Sequence, residues 1–253
     1  MKTTKTNETF SIDKAKLLQL LDLVSLDKEL SQKECLLAID NNKLTTYLCT
    51  SDKSFVIRAE LSNKFGLQRE LGLKDLNELT KCLNNFGDKL QFTLEEDKLI
   101  CEETNQKVSI KIKKPDYIVN QADSEKIDNR IKALEKLSSF DLKKEILVDA
   151  VKILSPFQPN KIKVAIKNKL VSFYTDSTST ENKIIKSYSI NSKTSDISFT
   201  ISQALLTLFN TLKEYDIRCY VDDKNPTILL VRLLNIQDLN VDYLLGLKVE
   251  SNV

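Results

Sequence analysis

Hydrophobic positions along the chain fall into one short phrase that recurs four times. Phe10-Ser11-Ile12 leads into Leu17, Leu20, Leu21 and Val24, and Phe140-Asp141-Leu142 leads into Leu147, Ala150, Val151 and Leu154; the two stretches align position for position without a gap. Leu71-Gly72-Leu73 precedes Leu76, Leu79, Leu83 and Phe86, and Phe199-Thr200-Ile201 precedes Leu205, Leu208, Phe209 and Leu212. Alternation with period two predicts a strand, and the three-and-four spacing behind it predicts a helix with one apolar face. Alternating, β-prone segments follow each helix. The chain reads as one strand–helix–strands unit copied four times, and such a repeat decides the architecture before any single residue does.

The first unit opens on a strand at 7–12, and Asp13 can cap the helix behind it because its carboxylate accepts from free first-turn amides. That helix runs to about Val24. Strands are predicted at Cys35–Asp40, Lys43–Thr50 and Ser54–Leu61, with Asn41-Asn42 as a tight turn whose residues tolerate positive φ. The second unit opens at Phe65–Leu73; its helix covers about Lys74–Phe86 and ends near Gly87, the expected left-handed terminator. A meander at Lys89–Leu94, Leu99–Glu103 and Lys107–Lys113 follows, closed by Pro115. Residues 114–137 are strongly polar and break the rhythm; within them Ile127, Ile131, Leu134 and Leu137 predict a short amphipathic helix over Ser124–Leu137.

The third unit covers Ser138–Ile190, with strands at Lys161–Lys167, Lys169–Thr175 and Asn182–Ile190 and an exposed loop at Asp176–Thr180. The fourth covers Ser195–Val249, with strands at Ile217–Asp222, Thr227–Leu234 and Val241–Val249 and a turn at Asp223–Pro226. The predicted organisation is an α+β chain of two similar domains, 1–113 and 138–253, joined by a linker at 114–137. Each domain has two helices on one face of antiparallel sheets. Long meanders leave edges that need pairing or blunting, and one way to remove them is to join copies edge to edge into a ring.

Composition narrows the chemistry. The 253 residues suffice for roughly two domains. A net charge of only +2 rules out a wholesale basic coat, so any DNA contact must come from local patches. No apolar run approaches the ~18 residues that span a bilayer, and Met1–Thr9 carries no apolar signal region. Cys35, Cys49, Cys82, Cys101 and Cys219 are dispersed and form no CxxC pair, which suits reduced thiols in a cytoplasmic protein. The chain has no histidine, which removes Ser-His and Cys-His nucleophile systems, histidine bases and histidine metal ligands. Its four glycines, Gly66, Gly72, Gly87 and Gly246, cannot build a phosphate-cradling loop. Asp222-Asp223 and Glu102-Glu103 could be imagined as magnesium ligands. Adjacent carboxylates in a strand point to opposite faces, so solvated charge is the plainer reading. Neither an enzymatic activity nor a cofactor or metal is expected. Abundant Lys and Asn with no Trp resembles the bias of an AT-rich genome.

The arrangement resembles DNA sliding clamps, the DNA polymerase processivity factors. The resemblance is carried by the F-x-I-D-x-x-x-L-L start at Phe10–Leu18, its echo at Phe140–Val148, and the L-x-L-K-D-L-x-x-L run at Leu71–Leu79. The Gly246-Leu247-Lys248-Val249-Glu250 strand before a brief tail is similar as well. Length and helix spacing resemble most the T-even-phage type and the proliferating-cell-nuclear-antigen type. The resemblance implies a DNA clamp fold, six similar domains per ring and therefore a homotrimer of this two-domain chain. It also implies helices facing sequence-independent double-stranded DNA, a tethered DNA polymerase, and an ATP-dependent clamp loader that opens the ring.

Two candidate sites follow. The polar helix faces carry Lys14 and Lys16 in the first helix, Lys74 and Lys81 in the second, Lys143, Lys144 and Lys152 in the third, and Lys213 at the edge of the fourth. Lys74 and Lys81 are seven apart and so nearly aligned on a helix. Lysine is a flexible, hydrated point charge suited to mobile, sequence-blind backbone contact; the competing reading is an ordinary solvated face, diluted by Asp22, Glu78 and Asp149. The resemblance further implies a groove for the short apolar tails of polymerases and loaders, with Tyr117, Ile118, Val119, Pro226, Leu247 and Val249 as candidates. The competing reading for these is core or linker packing. The functional expectation is a non-catalytic sliding clamp. Alternatives are a clamp-fold accessory subunit acting as a monomer or in a hetero-ring, as in checkpoint clamps or herpesvirus-type proteins, a metal-dependent nuclease, or an antiparallel-sandwich assembly protein.

Overall fold

Each of the four apolar phrases folds as a strand running into a helix. The computed structural model describes residues 8–26, 34–49, 55–118, 122–157, 159–176, 183–194 and 196–247. The chain divides into two compact units: residues 1–50, 57–122 and 237–240 form the first, and residues 51–56, 123–236 and 241–253 the second.

In the first unit β1 (Glu8–Asp13) enters α1 (Lys14–Ser25), followed by β2 (Cys35–Asp40), β3 (Lys43–Cys49) and β4 (Phe55–Ser62). Then β5 (Arg69–Leu73) enters α2 (Leu76–Leu83), followed by β6 (Lys89–Leu94), β7 (Lys98–Glu103) and β8 (Gln106–Lys111). The strand before each helix does not pair with the strands that follow it. β1 pairs antiparallel with β6, Phe10 opposite Phe92, in the order β1-β6-β7-β8. β5 pairs with β2, Leu71 opposite Leu37, in the run β5-β2-β3-β4. The two repeats therefore exchange their first strands.

The helices start where their caps dictate. Asp13 accepts from the Lys16 amide at 3.0 Å, and Asp75 accepts from the Asn77 and Glu78 amides at 2.9 and 3.0 Å. Phe10, Ile12, Leu17, Leu37, Leu44, Leu71, Leu79, Phe92 and Leu99 surround a residual void of about 10 Å³, so both sheets and both helices converge on one core. Phe10 stacks on Phe92 at 5.1 Å and meets Phe65 edge-on at 5.7 Å.

The second unit begins with α3 (Ser124–Leu134), capped by Asp123 and burying Ile127, Ile131 and Leu134. Leu137 lies past its end and is 42% exposed, so it is not part of the stripe. β9 (Ser138–Leu142) enters α4 (Lys144–Leu154), followed by β10 (Lys161–Lys167), β11 (Leu170–Asp176) and β12 (Lys183–Ser189). β13 (Ile197–Ser202) enters α5 (Ala204–Leu212), followed by β14 (Ile217–Val221), β15 (Ile228–Leu233) and β16 (Leu239–Gly246). The exchange repeats here. β9 pairs with β14 in the run β9-β14-β15-β16, and β13 pairs with β10 in the order β13-β10-β11-β12. The core holds Phe173 edge-on to both Phe209 and Tyr188.

Three local expectations need correction. Gly87 is not a left-handed terminator: α2 stops at Leu83 with Asn84 in right-handed helical conformation. Gly87 is instead placed by the Glu103 carboxylate, which accepts from its amide at 3.1 Å and would lie 2.6 Å from a Cβ there. Asn41-Asn42 does form the two-residue β2–β3 turn, but neither residue has positive φ. Their carbonyls accept from the Phe65 and Asn63 amides, which ties up the irregular stretch ahead of β5 and shortens the strand expected at Phe65–Leu73. A two-residue positive-φ hairpin does occur at Asn168 (φ 51) and Lys169 (φ 60) between β10 and β11. The loop residues 177–182 lie outside the described residues.

Candidate nucleic-acid interface

The outward helix faces are where the lysines gather, and the structure sorts them by what they touch. On α1, Lys14 is half-buried and its ammonium donates to the Phe86 carbonyl just beyond α2. Lys16 is paired with Asp238 at 2.6 Å, and that carboxylate holds its ammonium above the usual value. Both first-helix cations are thus partly spent inside their own unit.

Lys74 and Lys81 are exposed and, among the described residues, have no ion-pair partner. Lys74 precedes the cap Asp75 and is not helical, so the seven-residue alignment with Lys81 does not apply. The two sit at opposite ends of α2. Lys81 stands in its last turn, where it also complements the helix dipole.

The start of α4 shows how the repeats diverged. The position that Asp13 holds in the first repeat is Lys143 in the third, which cannot cap. Asp216 supplies the carboxylate instead, from the turn before β14: it accepts from the Lys144 amide at 3.0 Å and from the Lys143 ammonium at 2.7 Å. The Lys143 hydrogen bond and the Lys144 amide hold the Asp216 carboxyl below its usual range, and Lys143 is raised in return. Lys152, further along α4, is exposed and among the described residues unpaired. Lys213 follows α5 and donates to Asn210 at 3.4 Å. The same α4 face carries an exposed Val148 (46%), which has no use for phosphate.

A carboxylate with a depressed pKa stabilises the fold above its unfolded pKa, and that contribution is lost as pH falls through its folded pKa. Asp216→Asn keeps a capping oxygen but removes the charge, so it should lower stability at neutral pH by about 0.5–1 kcal/mol, the usual worth of a negative charge at a helix N-terminus. The gap to the parent should close as pH falls below about 4, as the parent's own carboxyl protonates. Thermal melts across that range check it, and a gap that is independent of pH would remove Asp216 from the cap.

The expected partner groove divides differently. Tyr117 ends a 3-10 turn at Pro115–Tyr117 and is 67% exposed, whereas Ile118 is 7% exposed and lies against Gly72, where a Cβ would be 3.0 Å from its side chain. Pro226 and Leu247 are half-buried, and Val119 and Val249 lie outside the described residues. The acidic pairs have partners of their own. Glu102 pairs with Lys107, and Glu103 holds the Gly87 amide and the Gln106 side chain. Asp222 accepts from the Lys224 and Asn225 amides, and Asp223 from the Ser138 hydroxyl. Among the described residues no three Cys, Asp or Glu side chains gather as a metal site, and no helix is long and apolar enough to cross a membrane.

No protein-family model matches the chain, and no curated protein matches its sequence. Solved structures do. The crystal structure of proliferating cellular nuclear antigen from Entamoeba histolytica superposes with a TM-score of 0.71 over 96% of this chain and 98% of that one, at 11% identity. The DNA polymerase III subunit beta from Pseudomonas aeruginosa gives a TM-score of 0.74 over 98% of this chain and 68% of that one, at 14% identity. At such identities the likeness is one of fold, and the fold is that of the sliding clamps.

Proposed function

Starting from the clamp fold, we propose that this protein is a sliding clamp that encircles duplex DNA and tethers a replicative DNA polymerase, with no chemistry of its own. The observation that carries the reading is the fold likeness over nearly the whole chain, joined to exposed lysines on the repeated helices. Electrostatic contact with phosphates is blind to sequence and permits sliding. Tethering raises local concentration, so a polymerase that lets go of the template is recaptured. The Pseudomonas relative is by name a subunit of a DNA polymerase, which supports a polymerase partner here.

Two clamp-type domains, 1–113 and 138–253 with the linker 114–137, would make a six-domain ring from three copies. The edges offered for joining are β8 and β12, which end their sheets and among the described residues have no second strand neighbour. Beside β12, Asp149 of α4 accepts from Tyr188 at 2.8 Å, so the exposed Val148 stands near that edge and would be covered by the next copy. Opening such a ring needs an ATP-dependent loader, and the site of action is the cytoplasm where replication proceeds.

The solution mass tests this directly. Light scattering coupled to size exclusion should give three times the 28.9 kDa of the chain, stable on dilution. The loaded protein should then stay on nicked circular DNA and run off once that DNA is linearised. A monomeric mass with no topological retention would overturn the homotrimeric ring and leave the accessory-subunit reading.

A further inference from the structure

A cleft of about 230 Å³ opens on the β9 side of the second unit, and nothing in the clamp reading uses it. It is built by register. Segment 191–193 lies against the outer edge of β9: Phe140 bridges Ser192, the Asp141 amide donates to the Asn191 carbonyl at 3.0 Å, and the Lys193 amide donates to the Ser139 carbonyl at 2.8 Å. On the other side of β9, Arg218 stands opposite Asp141 and Tyr220 opposite Ser139. Strand alternation therefore puts six polar side chains on one face, Asn191, Asp141 and Arg218 in one row and Lys193, Ser139 and Tyr220 in the next. The opposite face of these strands is core: Phe140, Leu142, Ile217 and Cys219 are buried. Glu135 and Leu137, from the turn after α3, complete the lining.

The unspent hydrogen-bonding capacity of this cleft is weighted toward donors. Its two carboxylates are occupied: Asp141 takes a two-pronged contact from Arg218 at 2.6 and 3.0 Å, and Glu135 accepts from Arg232. Arg218 also hydrogen-bonds the Tyr220 hydroxyl; among the described residues its remaining guanidinium N–H groups, the Ser139 hydroxyl and the Asn191 amide are left over. The Lys193 ammonium has no ion-pair partner among the described residues and is exposed. The volume is below the roughly 300–1,000 Å³ of sites for drug-sized molecules. It suits the end of one side chain. Next to it Leu137 exposes 42% of its surface, an apolar contact for the neighbouring residue of the same segment.

We infer that this cleft receives the carboxylate of an acidic side chain from a partner peptide, held by Lys193 and Arg218, with an adjacent apolar residue against Leu137. Charge-assisted hydrogen bonds of this type are the stronger ones and give an otherwise weak peptide contact its selectivity.

The probe is N-acetyl-Leu-Glu-amide, titrated into the full chain and followed by saturation-transfer NMR. Saturable binding is expected, with no binding of N-acetyl-Leu-Gln-amide and a loss of about tenfold or more in Lys193→Glu. Lys193→Gln is the second variant, and an unchanged melting temperature shows that either one folds. Equal binding of the glutamine probe, binding indifferent to Lys193, or no binding at all would overturn the assignment. Inorganic phosphate that displaces the peptide at equal or lower concentration would do so too, by making the cleft a free-anion site. The inference stands apart from the ring: a trimer that ignores the probe defeats only this proposal, and a monomer that binds it defeats only the ring.

Discussion

Under the proposed clamp function, a Lys74→Glu, Lys81→Glu, Lys152→Glu triple variant should keep its mass and melting behaviour and lose stimulation of a DNA polymerase by at least about tenfold, because charge reversal turns phosphate attraction into repulsion. These three lysines are chosen by what they do not touch. Lys14, Lys16 and Lys143 spend their ammonium groups on Phe86, Asp238 and Asp216. Among the described residues Lys74, Lys81 and Lys152 are exposed and unpaired, so replacing them should cost the fold about 1 kcal/mol or less, most of it from Lys81 at the end of α2. Reversing Lys16 would be less informative, since it also breaks an ion pair and sets a second negative charge against Asp238. The loss should deepen as salt is lowered, because fixed like charges repel more when less screened. A triple variant that stimulates normally would mean that the helix faces do not meet DNA.

The largest effect on stability is expected at Arg232. Asp242 on β16 is fully buried, and Arg232 on β15 meets it with Nε to Oδ1 at 2.6 Å and Nη2 to Oδ2 at 3.1 Å, while Nη1 donates to Glu135 at the end of α3. Burial disfavours charge on Arg232, yet the carboxylates of Asp242 and Glu135 outweigh it and hold the guanidinium above its usual value. Arg232→Met removes the cation that faces a buried carboxylate, at a cost of about 3–5 kcal/mol. The pair itself contributes far less than that cost suggests, so Arg232→Met combined with Asp242→Leu should regain most of the loss. Urea midpoints at constant slope measure both. A double variant as unstable as the single one would show that Asp242 serves groups besides Arg232.

The sequence was most legible where periodicity alone decides the outcome. Cys35–Asp40, Lys89–Leu94 and Lys161–Lys167 form strands at the expected residues, and the four helices of the repeats bury their expected stripes apart from Val151, which is half-buried. Period two tells which face of a strand is buried but not which strand lies beside it, so the exchange of β1 and β5 and of β9 and β13 was invisible. Capping was legible when local, as at Asp13, and hidden when supplied from 72 residues away, as by Asp216. Gly87 misled because glycine ends helices by positive φ and also admits close neighbours, and here the neighbour is Glu103. The candidate lysines were found as residue types, but only coordinates separate a spent ammonium from a free one. The cleft around Lys193 and Arg218 joins β9, β14 and the 191–193 segment, all distant in sequence, and no motif could have announced it.

Strand exchange also sets a timetable for synthesis. β1 leaves the ribosome ahead of β6 and cannot close its ladder until β6 follows, with Phe10 waiting for Phe92 about eighty residues later; at roughly 5–20 residues per second that is several seconds. β9 waits almost as long for β14. During each wait an apolar strand has no partner, and a nascent chain stalled after the first or third repeat presents it to whatever is near. Each unit therefore gains its stability late and all at once, when its second repeat arrives.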